Sequence, residues 1–231
     1  MDGKSFKKLF KLDDIHADDI IYPQSLDIKT ADHYQLPVYY LPPYHYMPNK
    51  RYPAIIWFHG AHEEFSPRWH MYTQYFAMNG FSVFAVNYRE NNARDIFQLY
   101  QYVKNNPGFN ISNTYMVGVS SGAFVLEKTL QQYPGLFNGA AELVGCITKY
   151  LDAPLRLPPM KVFIGQNDAY VNNKQKLDQI ALQELNGGLI EVNELKEEGH
   201  DFRHKNNIKG TLKETVLFFK KIEDKTKPCC L

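Results

Sequence analysis

Several short stretches of this chain are apolar almost without a break: Pro53–Phe58, Ser82–Asn87, Thr114–Val119 and Met160–Ile164. A strand with one wet face alternates polar and apolar residues, whereas a strand covered on both faces need not. These stretches therefore predict strands enclosed between two layers. The covering layers show between them. Ile96, Leu99, Tyr100 and Val103 fall at i, i+3, i+4 and i+7, the spacing of one helix face. Leu177, Ile180, Ala181 and Leu185 share a face too, and Leu212, Val216 and Phe219 mark a last helix. Ser121–Tyr133 is helical in pattern and stops at Pro134. Leu189–Leu195 alternates, as suits a strand near the sheet edge. Ahead of these, Ile20–Lys29 and Leu36–Leu41 predict a strand pair around a turn at Asp32-His33.

Strands and helices in alternation define an α/β chain, with a mainly parallel central sheet and helices on both faces. A length of 231 residues suits one such three-layer α/β/α domain over 1–231. Residues 1–18 and 224–231 are expected to be mobile ends. With 44% apolar and 22% charged residues, the core requires neither disulfide nor metal. A net charge of +1 gives no sign of a nucleic-acid partner, which would need a basic patch or stripe. No apolar run is long enough to span a bilayer. The basic start of the chain has no apolar stretch behind it and does not read as a secretory signal, so a cytoplasmic protein is expected, or one exported by a route the sequence does not announce.

Ligands of such sheets bind at the carboxyl ends of the strands, and the reactive residues fall there. Gly118-Val119-Ser120-Ser121-Gly122 matches G-x-S-x-G between a strand pattern and a helix pattern. That is the context of a nucleophile elbow, with Ser120 at its apex. A serine hydroxyl needs a base to take its proton. In this fold the order is serine, acid, histidine. Asp168 follows the strand Met160–Ile164, and His200 follows Leu189–Leu195. The spacings leave room for one or two strand–helix units of ~30 residues each. Asp201 and His204 are rivals for the two roles. The pair His200 and His204 lacks a third ligand at metalloprotease spacing, so no metal is expected.

An oxyanion hole needs two N–H donors. Ser121 supplies one as the residue after the nucleophile, and Gly60 or Ala61, after the first long strand, supplies the other. His59 reads as structural, bonding backbone to fix that loop.

Together these motifs resemble the α/β-hydrolase superfamily, in particular its esterase, dienelactone-hydrolase and prolyl-oligopeptidase-like group. The resemblance runs from about Leu36 to Phe202. It rests on Leu41-Pro-Pro, on Pro53–Gly60, on Phe76–Arg89 with its Asn87-Tyr88-Arg89, and on Asp95 at a helix start. It continues through Gly118–Gly122, Gly165–Asp168 with Val171, and Gly199–Phe202. It implies a hydrolase fold and two-step acyl transfer on a small-molecule or acyl substrate, without cofactor. Carboxylic esters come first. Peptide or acyl-thioester cleavage by the same triad is an alternative, and a silent binding protein on the scaffold is another. The chain departs from the group's pattern at Ala61, where glycine is common, and at Glu90. Between Cys146 and Met160 there is too little chain for a helical lid.

Cys146 reads as an inert core thiol. Cys229 and Cys230, beside Lys225 and Lys227, do not fit the prenylation pattern. The segment Lys4–Lys11 sets Phe6, Leu9 and Phe10 among lysines. Acylation of the paired cysteines with this basic segment would give peripheral membrane attachment. A solvated start and a tail of reduced thiols is the expected state.

Overall fold

The computed structural model describes residues 21–61, 67–89, 92–145, 156–201 and 205–226. The elements, in chain order, are strand β1 (Gln24–Lys29), β2 (Gln35–Leu41), β3 (Tyr52–Phe58), helix α1 (Pro67–Met78), β4 (Ser82–Val86), α2 (Ala93–Asn105), β5 (Ile111–Val119), α3 (Ser121–Gln132), β6 (Gly139–Leu143), β7 (Met160–Gly165), α4 (Asn173–Leu185), β8 (Ile190–Leu195) and α5 (Lys205–Thr226). All eight strands join one sheet in the order β1-β2-β4-β3-β5-β6-β7-β8. β1 and β2 pair antiparallel around a turn in which His33 takes φ 65°, and β2 meets β4 antiparallel. Every other pairing is parallel. α5 runs through Asp224 and Lys225, inside a stretch the sequence marks as a mobile end.

The uninterrupted apolar runs follow from burial on both faces. Along β3, Ile55 and Trp57 join one core while Ala54, Ile56 and Phe58 join the other. Val83 and Ala85 of β4 face the first core, and Phe84 and Val86 the second. Successive side chains of a strand point to opposite faces, so both sets must be apolar. The first core is covered by Met71, Tyr72 and Phe76 of α1 and by Leu212, Val216 and Phe219 of α5. The second is covered by Ile96, Leu99 and Val103 of α2, Leu126 and Leu130 of α3, and Ile180 of α4. Three layers result. β8, at the sheet edge, keeps its partly wetted, alternating pattern.

Two elements are not legible in the sequence pattern. α1 carries no clean apolar period in Pro67–Met78. β6, Gly-Ala-Ala-Glu-Leu, has small residues and a charge at a position that is fully buried. That charge belongs to a sealed cluster. Lys176 of α4 donates to Glu127 of α3 at 2.6 Å and to Glu142 of β6 at 2.7 Å, and none of the three side chains is exposed. Glu142 lies opposite Gly118 in the sheet, so the cluster sits under the turn that carries Ser120.

Two buried carboxylates beside one ammonium would leave an uncompensated negative charge. Burial, with the added repulsion of Glu142, outweighs the attraction of Lys176 and holds the Glu127 carboxyl well above its ordinary range, so it keeps its proton. For Lys176, burial opposes charge, but attraction to Glu142 and hydrogen bonds to both glutamates overcome it and raise its pKa. Glu127 binds its proton more tightly folded than unfolded. Its contribution to stability is therefore complete below the unfolded value near 4.5 and is lost as pH rises toward the raised folded value. Glu127→Gln copies the neutral carboxyl. It is expected to cost under about 1 kcal/mol in mild acid and to flatten the decline in urea-unfolding stability with rising pH. Lys176→Met, which strands the carboxyls, is expected to cost about 3–5 kcal/mol. Equal losses for the two variants would contradict a neutral Glu127 in this cluster.

Candidate active site

The turn that carries Ser120 is built by close approach of backbone. Ser120 takes φ 50° and ψ −117°, a conformation that L side chains rarely adopt. A Cβ on Gly118 would lie 2.7 Å from the carbonyl oxygen of Gly122, and one on Gly122 would lie 2.5 Å from that of Phe58. Contact with neighbouring backbone is therefore what requires glycine at both flanking positions. The Ser120 N–H donates to the Leu143 carbonyl at the end of β6, and the Ala123 N–H donates back to the Ser120 carbonyl. These bonds hold the strained residue at the junction of β5 and α3.

Three residues, each at the carboxyl end of a parallel strand, meet above it. Ser120 Oγ lies 2.6 Å from His200 Nε2. His200 Nδ1 lies 2.8 Å from Asp168 Oδ2. A carboxylate only accepts, so in the neutral imidazole Nδ1 carries the hydrogen and Nε2 accepts from the serine hydroxyl. The other oxygen of Asp168 accepts from the backbone N–H groups of Tyr170 and Val171 at 2.8 and 3.0 Å. The side chain is 1% exposed, and that of His200 is 16% exposed. The Asn167 N–H donates to the Glu198 carbonyl at 2.7 Å, tying together the loops that carry acid and histidine. Asp201 is exposed while Asp168 occupies Nδ1, which separates the two carboxylates. His204 lies outside the described residues. Among those described, no group of three metal-ligating side chains is assembled.

The loop after β3 is held from its own side chains. His59 is buried, and its Nδ1 lies 2.7 Å from the Gly60 carbonyl. Fixing that carbonyl fixes the peptide plane whose N–H belongs to Ala61. Tyr88, just past β4, stacks on the His59 ring at 4.7 Å. Its hydroxyl donates to the His59 carbonyl at 2.9 Å and lies 3.0 Å from Ser121 Oγ. The phenol has one hydrogen and the carbonyl can only accept, so the Ser121 hydroxyl donates to Tyr88. Tyr88 thus links the Gly60–Ala61 loop to Ser121, the residue after Ser120. Its neighbour Arg89 grips both oxygens of Asp95 at 2.7 Å, bonds Asp32, and lies over the Tyr34 ring. The sequence marks Asn87-Tyr88-Arg89 as a motif but gives Tyr88 no role, since the bridge depends on elements far apart in the chain.

Three other readings, Cys146 as a core thiol, a membrane-attaching start, and acylated Cys229 and Cys230, fall outside the described residues. So do residues 146–155, where a lid would be inserted. No helix among the described residues is long and apolar enough to cross a membrane.

A mainly parallel sheet with a serine on a strained strand-to-helix turn, followed by aspartate and then histidine at later strand ends, is the arrangement of the α/β hydrolases. Solved structures share the fold. The chain is similar to Thermogutta terrifontis esterase 2 phosphoramylated by tabun, at 18% identity and a TM-score of 0.72, covering 87% of this chain and 94% of that one. The propionate-bound form of that esterase matches at 18% identity, a TM-score of 0.70 and the same coverage. A puromycin-hydrolysing peptidase of Mycobacterium tuberculosis matches at 15% identity and a TM-score of 0.74, covering 89% of this chain and 41% of that one. As a sequence, the chain matches no protein-family model and no curated protein. The chain has the α/β-hydrolase fold.

Proposed function

We propose that the protein is a serine hydrolase that cleaves carboxylic esters through an acyl-enzyme. The observation that carries this reading is the continuous hydrogen-bonded line from Ser120 Oγ through the His200 ring to buried Asp168. Ser120 attacks the ester carbonyl carbon while Nε2 takes its proton. Asp168 holds the tautomer and stabilises the imidazolium. The oxyanion takes N–H bonds from Ser121 and from Gly60 or Ala61, at the start of α3 where the helix dipole also favours negative charge. His200 then protonates the leaving alkoxide as the C–O bond breaks. Water repeats the sequence and frees the acid. No metal or organic cofactor enters.

The structural likeness to an esterase that holds propionate supports an ester substrate. Peptide cleavage is supported by the likeness to the puromycin-hydrolysing peptidase, of which this chain spans less than half. The test is a fluorophosphonate label followed by a panel of p-nitrophenyl esters of rising chain length beside peptide and thioester substrates. Labelling with preferential ester turnover is expected. Peptide turnover exceeding ester turnover would move the assignment to a peptidase, and an unlabelled, inert protein would leave a binding protein on a hydrolase scaffold.

Tyr88→Phe bears on the same reading. It removes only the hydroxyl that bridges the two sides of the oxyanion site. A single lost oxyanion donor costs about 10²–10³ in kcat, and both N–H groups remain here, only less firmly held. A fall of about tenfold in kcat with little change in KM is expected in steady-state ester hydrolysis. A change in KM alone would contradict the role.

A further inference from the structure

We infer that Tyr170 is a specificity-determining residue, an aromatic platform for the alcohol part of the ester, so that esters with a planar or aromatic leaving group are preferred. The inference rests on the serine-hydrolase reading and names the substrate class of that same site.

The position of the ring is set by the site itself. Tyr170 is two residues past Asp168, and its backbone N–H donates to Asp168 Oδ1 while Oδ2 of the same carboxylate holds His200. Its ring centre is 5.2 Å from that of the imidazole, with the planes at 57°. It is nevertheless 81% exposed. A lone exposed aromatic needs no explanation elsewhere on a surface. This one has its backbone tied to the Asp168 carboxylate and its ring tilted beside the imidazole, with most of its surface still in water.

The mechanism decides what meets that surface. The proton that Nε2 takes from Ser120 is given to the leaving oxygen as the C–O bond of the tetrahedral intermediate breaks and the carbonyl re-forms. The leaving oxygen must therefore come within hydrogen-bond reach of Nε2. A group attached to that oxygen starts from the Nε2 end of an imidazole whose ring centre is 5.2 Å from that of Tyr170, so an alcohol part the size of a ring can reach the tyrosine. An alkyl group would gain only apolar contact. A planar ring would also gain the offset or edge-to-face geometry that aromatic pairs favour. Tyrosine suits this role because it offers a large contact surface with only two side-chain torsions to immobilise.

The test compares Tyr170→Leu and Tyr170→Phe with the unsubstituted protein on benzyl acetate, cyclohexylmethyl acetate and methyl acetate. These share an acyl group, so their differences lie in the alcohol part. The ratio of kcat/KM for benzyl acetate to that for cyclohexylmethyl acetate is expected to fall about three- to tenfold in Tyr170→Leu, the size of an aromatic pair's extra contribution. Tyr170→Phe should keep the ratio. Fluorophosphonate labelling of each variant reports separately on the triad. A labelled, active Tyr170→Leu protein with an unchanged ratio, or with equal losses on all three esters, would overturn the role of Tyr170 alone. An unsubstituted protein that neither labels nor hydrolyses any of the esters would bring down the hydrolase reading and this inference with it.

Discussion

Replacing Ser120 by alanine is expected to abolish fluorophosphonate labelling and to lower ester turnover by about 10⁴- to 10⁶-fold, the range for loss of a triad member in serine hydrolases. The size of the effect follows from the chemistry. Without Oγ there is no atom to form the acyl-enzyme, and what remains is the oxyanion site acting on water. The fold should survive. The backbone bonds that hold the turn run from the Ser120 N–H to the Leu143 carbonyl and from the Ala123 N–H to the Ser120 carbonyl, and none uses the side chain. Circular dichroism and urea unfolding should therefore match the parent within about 1 kcal/mol, as for a partly exposed hydroxyl. Ser121 is a built-in control. Its hydroxyl bonds Tyr88 instead of the imidazole, so Ser121→Ala should retain labelling. Full labelling of a folded Ser120→Ala protein would sink the assignment.

His200→Ala should be as damaging as the serine change, because Nε2, 2.6 Å from Oγ, is the proton acceptor in both half-reactions. Asp168→Asn should cost somewhat less, about 10³- to 10⁴-fold in kcat. Its reason is the tautomer. An amide in place of the carboxylate can turn its NH₂ toward Nδ1, which moves the ring hydrogen to Nε2 and blocks that atom as a base. The same change disturbs the acceptor for the Tyr170 and Val171 N–H groups, so some loss of stability is expected as well. His204→Ala should be mild. Steady-state kinetics on one p-nitrophenyl ester across these variants decides the matter. If His204→Ala silences the protein and His200→Ala does not, the base is His204.

Both predictions lean on residues that the sequence pattern alone singles out. Ser120, Asp168 and His200 are legible because each stands where a strand pattern ends, and the fold prescribes their chain order. The strands themselves are legible because burial on both faces forces continuous apolar runs such as Pro53–Phe58. β6 escapes that logic. Its glycine and alanines carry no strand signal, and Glu142 argues against burial until Lys176, more than thirty residues onward, is seen to balance it. α1 escapes for want of an apolar period. The proposed oxyanion residues Gly60, Ala61 and Ser121 are read from motif position, yet nothing local shows that Tyr88 bridges their two loops.

The sequence by itself determined the three layers, the mainly parallel sheet, the strained turn between Gly118 and Gly122, and the order of serine, aspartate and histidine. These depend on the period of apolar residues and on turn chemistry, which are written within a few residues of one another. Only the tertiary structure decided that Asp168 and not Asp201 meets Nδ1, that Lys176 shares one sealed site with two glutamates, and that Tyr170 stands beside the imidazole while staying exposed. Those outcomes depend on the direction of side chains brought together from different strands and helices, and that direction is set by packing across the sheet, to which no short stretch of chain has access.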